Sequence, residues 1–563
     1  MSTRPRSAIE FGRRYAATLV ATATITIALG TPPRAAAADD GLAGPSIYQY
    51  IQLHRDALTG RIAPEAMTLP DESAARGFSR LRWAPGALEG LGTRHMHWEG
   101  SAKASHAITL LQEIAAGSAA AERALYELLR ADDVVTFYNV ALDYAAARIP
   151  DAEPRLHELA RRLATQSRDR GPVKFGIAML GSMGDESDLD IVRTLALHDE
   201  FGLYAAQAIA ELAPQRQQAL YDMARQLTGW GRIEAVTLMT ATSDAGLRRW
   251  LLTEGFRNDV TPQYLAYQCA TIADLEGALA GDLSGNLAKS QDTAADASSA
   301  SRNANLNDTA LLAGIADLLQ SLIKPGPSKD SLTYASTPQV AIAFLRQVQG
   351  RKDSFGFLLT AQSLSDYATS APWNAEQKLA VTTLAAPVIN DKGWRRRVIA
   401  AIADDRANLA QAELAAHTLG IETFELHVRR LSKNGSVAER WRLAFNAADP
   451  RQLRPLLDVA ERTFGPRFAQ GAVNRANTSD EALEAVLQGV AKTPGAGIPI
   501  VDASLLDNAP RVRRAAVETL GRWGGPYLRA ESVRAALTAA ARQETDETLK
   551  ARMVALLNVG ASP

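Results

Sequence analysis

With 563 residues the chain is too long for a single compact core, so several domains or an extended array are expected. Lysine and arginine number 61 against 62 aspartates and glutamates, a balance without the basic excess that a general nucleic-acid role needs to displace counterions. Hydrophobic residues make up 47% but aromatics only 6%; Ala and Leu carry the apolar mass, and because both favour helix the composition predicts an all-α protein.

Residues 1–38 read as a cleaved export signal. A basic stretch with Arg4, Arg6, Arg13 and Arg14 precedes a mildly apolar run from Tyr15 to Leu29, and small residues up to Ala38 follow. The run is shorter than the roughly 18 to 20 apolar residues of a permanent membrane span. Cleavage near Ala37 or Ala38 is therefore expected, with no membrane anchor afterwards. The Arg13-Arg14 pair, the long basic region and Arg34 resemble a twin-arginine signal, although Gly12 and Tyr15-Ala16-Ala17 depart from its pattern. The twin-arginine and general secretory routes both remain open, and either implies a periplasmic protein. Without residues 1–38 the chain has 56 basic and 61 acidic residues, a net charge of −5.

Residues 39–116 contain Pro64, Pro70, Pro85 and the glycines Gly77, Gly86, Gly90, Gly92 and Gly100, which predicts an irregular, loop-rich section. Within it lie Trp83, then Arg94-His95-Met96-His97-Trp98-Glu99, then His106. Trp83, His95, His97 and Trp98 form a polar-aromatic set suited to binding a protein partner. The same stretch offers His95, His97, Glu99 and His106 as donors for a transition metal, at a spacing that fits no defined metal family.

Residues 117–280 read as helical repeats. Leu125, Leu128 and Leu129 share one face, with Glu122, Arg123, Glu127 and Arg130 off it. A helix over 172–181 closes at Gly181, and Ser187-x-x-Asp190 opens the next as a capping box. Leu180 and Leu212 mark a period near thirty, similar to the shorter HEAT-like repeats named after phycobilisome lyases, with no lyase role implied. Cys269 is the only cysteine and sits in an apolar helical stretch, which predicts a buried, inert thiol.

Residues 281–310 hold few large apolar groups and read as a flexible linker. Residues 311–563 carry further repeats. Asp507-Asn508-Ala509-Pro510-Arg511-Val512-Arg513-Arg514-Ala515-Ala516-Val517-Glu518-Thr519-Leu520-Gly521 resembles the start of a HEAT repeat, which implies an α-solenoid of helical hairpins that binds other molecules along a stacked surface. Val512 and Leu520 recur as Leu549 and Leu557, and these four with Ala516 are expected to share a core. The clusters Arg395-Arg396-Arg397 and Arg511, Arg513, Arg514 are expected to pair with turn aspartates such as Asp404, Asp405 and Asp507.

Recognisable catalytic signatures are missing: there is no Gly-x-Ser-x-Gly, Walker loop, Cys-x-x-Cys or His-Glu-x-x-His. The expectation is an exported protein-binding helical-repeat protein that is not an enzyme and needs no cofactor, acting as scaffold, adaptor or toxin-neutralising immunity protein. The competing expectation is a metal-dependent enzyme built on His95, His97, Glu99 and His106.

Overall fold

A computed structural model describes residues 44–72, 83–96, 101–149, 153–280, 297–327, 332–404, 409–470 and 479–559. These residues are all-helical, with no strand beyond an isolated bridge between Arg55 and Ile62. None of the described helices is long and apolar enough to cross a membrane. The expected signal segment 1–38 lies outside the described residues. The chain divides into two compact units, the first ending at Val388 and the second starting at Ile389.

In the first unit the helices Arg170–Met183, Gly202–Leu212, Trp230–Thr237 and Ala266–Ile272 pack each against the next. Glu153–Gln166 lies against the first of this row, and Leu189–Leu195 and Arg216–Gln226 against the second. The row helices are apolar nearly all round, as helices covered on several sides must be: Val173, Phe175, Ile177, Met179 and Leu180 are all buried. Ala119–Ala131 and Tyr138–Arg148 cover the Arg170–Met183 helix from another side.

In the second unit Ala438–Ala447, Asp480–Val490, Pro510–Trp523 and Glu547–Val559 likewise pack in succession. Beside them run Phe424–Lys433, Arg454–Gln470, Ile498–Ser504 and Glu531–Gln543, also each against the next. One apolar core joins the two rows, with Val512, Ala516, Leu520, Leu537 and Met553 inside it. Leu549 is buried there as expected, but Leu557 is only partly buried and Met553 fills the position facing the core.

Several expectations need correction. Residues 39–116 are more regular than their prolines and glycines suggest, holding the helices Ile47–Leu53, Ala87–His95 and Ser101–Ala115. The last of these has a core stripe of Ala104, Ala107, Leu111 and Ile114. Of the segment expected as a linker, 281–296 lie outside the described residues, whereas 297–310 are the first turns of the helix Ala297–Leu322. Its anchor is apolar: Leu311, Leu312, Ile315, Leu318 and Leu319 are buried, and it packs against Phe355–Ser370. The division of the chain therefore falls at Val388 and not at the expected linker.

Local caps differ as well. The helix at Arg170 runs past Gly181 to Met183 and is capped by Gly184. Asp185, not Ser187, makes the capping box of the next turn, its side chain accepting from Ser187 N while Asp188 accepts from Asp185 N. The Asp507 carboxylate does not receive Arg513, which reaches only its backbone carbonyl. It pairs with Arg467, at 2.6 Å, while Arg513 reaches Glu544 with two hydrogen bonds of 2.7 and 2.8 Å. Arg511 pairs with Glu481 and Glu484, and Arg514 with Asp546. Arg395, Arg396 and Arg397 are exposed, and Asp405 lies outside the described residues.

Candidate partner-binding groove

The N-terminal segment is held against the helical row by buried charge. Lys174, on the Arg170–Met183 helix, lies 2.6 Å from Glu89 Oε1 and 2.7 Å from Glu200 Oε1. All three are buried. Glu200 Oε2 also accepts from Gly86 N at 3.1 Å. Nearby, Asp71 accepts from the backbone N–H of Arg170 at the helix start and pairs with its guanidinium, satisfying an otherwise orphaned helical donor. Burial alone would pull the Lys174 ammonium down, but the two carboxylates outweigh it and hold it above the ordinary lysine range. Burial pushes Glu89 up, whereas for Glu200 the cations Lys174 and Arg170 overcome burial and bring it to about 2. A lysine nucleophile must shed its proton. Lys174 is held charged, so this cluster fastens the fold.

Helix Ala87–His95 sits on that cluster, and its glycines serve close approach. Gly90 faces the Trp230 ring so tightly that a Cβ would lie 2.0 Å from Cε3. Gly86 has φ +72°, and a Cβ there would lie 2.4 Å from the Asp199 carbonyl oxygen. Arg94 stacks over Trp230 and Tyr264 at 5.7 and 5.9 Å from the ring centroids and pairs with Glu234. His95 is exposed, with Nε2 2.8 Å from the Tyr264 hydroxyl. Burial and the adjacent Arg94 lower its pKa.

Of the sequence candidates, Trp83 is 40% exposed at the start of this segment, and His106 is exposed on Ser101–Ala115. His97, Trp98 and Glu99 lie outside the described residues, so half of the proposed metal set has no described position. Among the described residues no group of three or more His, Cys, Asp or Glu side chains is placed to hold a metal ion. Cys269 is buried, and burial pushes its thiol well above the ordinary range.

A large concavity lies elsewhere in the first unit, between a turn at residues 55–62 and the helices Leu189–Leu195 and Arg216–Gln226. It is an open groove of about 1160 Å³, larger and more polar than the usual small-molecule pocket. The turn is built by Asp56, whose Oδ1 accepts from Leu58 N, Thr59 N and Thr59 Oγ1 at 3.0, 2.6 and 2.9 Å. Gly60 then takes a φ of +70°, which only glycine adopts without strain. Arg61 ties the turn to the row by donating to the Arg225 carbonyl at 3.0 Å, where a helix C-terminus favours a cation.

Arg55, Arg61 and Arg225 line the groove and are exposed, and Arg232 is buried at its edge. Among the described residues none of these four forms an ion pair. Arg225 stacks on Tyr221 at 5.3 Å, and Arg232 donates to the carbonyls of Ala224 and Arg257 at 3.0 and 2.7 Å. Burial, reinforced by the nearby Arg61, lowers the pKa of Arg232, with Glu254, Asp259 and Asp199 acting against it. Asp190, Asp222 and Glu254 are the acidic residues of the lining. The Gln226 side-chain oxygen, also in the lining, is buried without a partner, and Leu58 is 96% exposed at the turn.

Sequence reasoning missed this groove. Its arginines come from positions 55, 61, 225 and 232, and only the packing of the turn on the row brings them together; the sole local signal was the turn chemistry of Asp56 to Gly60. Comparison with protein families, curated proteins and solved structures finds no match to this chain.

Proposed function

We propose that this chain is an exported, non-catalytic protein-binding protein, an α-solenoid of HEAT-like helical hairpins whose groove beside the 55–62 turn receives its partner. The solenoid reading is supported by the paired rows of the second unit, in which each helix packs on the one a repeat earlier. The observation that carries the binding role is the groove itself: three exposed arginines and one buried one, held in place without carboxylate partners, line an open polar channel. Exposed guanidinium groups that pair with no carboxylate among the described residues can take one from a partner without breaking an internal pair. Among the described residues the buried Lys174 is paired with Glu89 and Glu200. Export and a periplasmic destination are supported by the pattern of residues 1–38. Scaffold, adaptor and immunity roles share this mode of action.

Purification of the tagged chain from gently cross-linked envelopes tests the proposal. Recovery of a defined protein partner that rebinds as a purified component is the expected result. A chain that migrates alone under these conditions, and gains no partner on reconstitution, would count against it.

A further inference from the structure

We infer that the groove accepts an extended acidic segment of a polypeptide, with its carboxylates on Arg55, Arg61 and Arg225. This rests on the protein-binding reading above and names the chemistry of the partner. Guanidinium groups present planar forks that match carboxylates with two parallel hydrogen bonds. The three exposed guanidinia have no competing ion pair among the described residues, so binding breaks no existing salt bridge.

Other anions fit less well. A polyphosphate or nucleic-acid backbone carries a negative charge at every unit, and Asp222 in the same lining would repel it, whereas Asp190 and Glu254 are paired with Arg193 and Arg257. A polypeptide can space its carboxylates to avoid the groove's own acids. Leu58, 96% exposed beside the channel, offers an apolar contact that a peptide side chain can cover and a phosphate cannot.

The test is fluorescence anisotropy of the full chain with a labelled peptide of alternating Glu and Ala. A Lys-Ala peptide and inorganic polyphosphate serve as comparisons. The Glu-Ala peptide should bind, weaken as salt is raised, and lose about tenfold or more in affinity when Arg61→Ala and Arg225→Ala are combined. Both residues are exposed, so the variant should keep the helical circular dichroism of the parent, and Arg61→Lys with Arg225→Lys should lose less affinity than the alanine pair. Arg395→Ala, in the second unit, should bind as the parent does. The inference is overturned if the Lys-Ala peptide binds as tightly, if the Arg61 and Arg225 variants bind unchanged, or if polyphosphate displaces the peptide at equal charge. Failure here with a protein partner still recovered from envelopes removes the acidic-segment inference alone, whereas failure of both removes the protein-binding reading.

Discussion

Replacing Arg513 by alanine removes the only side chain among the described residues that answers Glu544, a residue with 5% of its surface exposed. Two hydrogen bonds of 2.7 and 2.8 Å are lost, along with the Arg513 contacts to the carbonyls of Asp507 and Asn508. Breaking a buried pair on one side costs about 3 to 5 kcal/mol when the remaining charge is left bare. Glu544 is not left bare, because the backbone amides of Thr545 and Asp546 still donate to it at 3.0 and 3.1 Å. The expected loss is therefore about 2 to 4 kcal/mol, shifted below that range. The pH dependence points the same way. Chiefly through Arg513, the Glu544 pKa is brought from 4.5 to about 2. A folded-state pKa below the unfolded value stabilises at neutral pH, and the contribution is lost as pH falls from about 4.5 towards 2. Such a shift corresponds to at most about 3 kcal/mol before solvent screening reduces it. Hydrogen exchange of the Pro510–Trp523 and Glu547–Val559 helices at neutral pH measures the loss without requiring that both units unfold together. Arg513→Ala with Glu544→Gln should recover part of it, since the stranded charge is gone. A loss below about 1 kcal/mol, the range of an exposed ion pair, or no recovery in the double variant, would refute the argument.

Further expectations follow from the same packing. Leu520→Ala, at a site with no exposed surface in the shared core of the second unit, should cost about 2 to 5 kcal/mol by the same exchange measurement, and a cost as small as that of the exposed Arg514→Ala would remove the basis for a shared core. Lys174→Met strands Glu89 and leaves Glu200 with Arg170, and should cost about 3 to 5 kcal/mol of protection in the Arg170–Met183 helix; unchanged protection would mean that the cluster does not fasten the N-terminal segment. Protein recovered from the envelope should start near residue 38, and intact residues 1–30 there would contradict export with cleavage. Changing Arg13 and Arg14 to Lys should block export only on the twin-arginine route.

The helical class was legible because Ala and Leu carry the apolar mass, and the stripe of Val512, Ala516 and Leu520 was legible because helical periodicity repeats locally. What failed was pairing at a distance. Asp507 was the turn acid closest in sequence to Arg513, yet it is engaged by Arg467, and Glu544 arrives from the turn between Glu531–Gln543 and Glu547–Val559. Glycines misled for a similar reason. Gly90 reads as a helix breaker, but it is helical because Trp230, a residue far along the chain, leaves room for nothing larger. Composition hid the Ala297–Leu322 helix, whose polar first half is continued by the buried stripe from Leu311 to Leu319. The groove left only the Asp56 to Gly60 turn as a local signature, since its charge is assembled from separate segments.

A photo-activated cross-linking residue placed at Leu58 tests partner docking in the groove most directly, because that side chain stands in the lining and is 96% exposed. Leu379, 68% exposed and outside the lining, is the comparison position. A covalent adduct to one protein from Leu58, absent from Leu379 and lost when Arg61 and Arg225 are changed to Glu, is the predicted result. Equal labelling from both positions, or labelling from Leu58 that survives loss of the arginines, would contradict it.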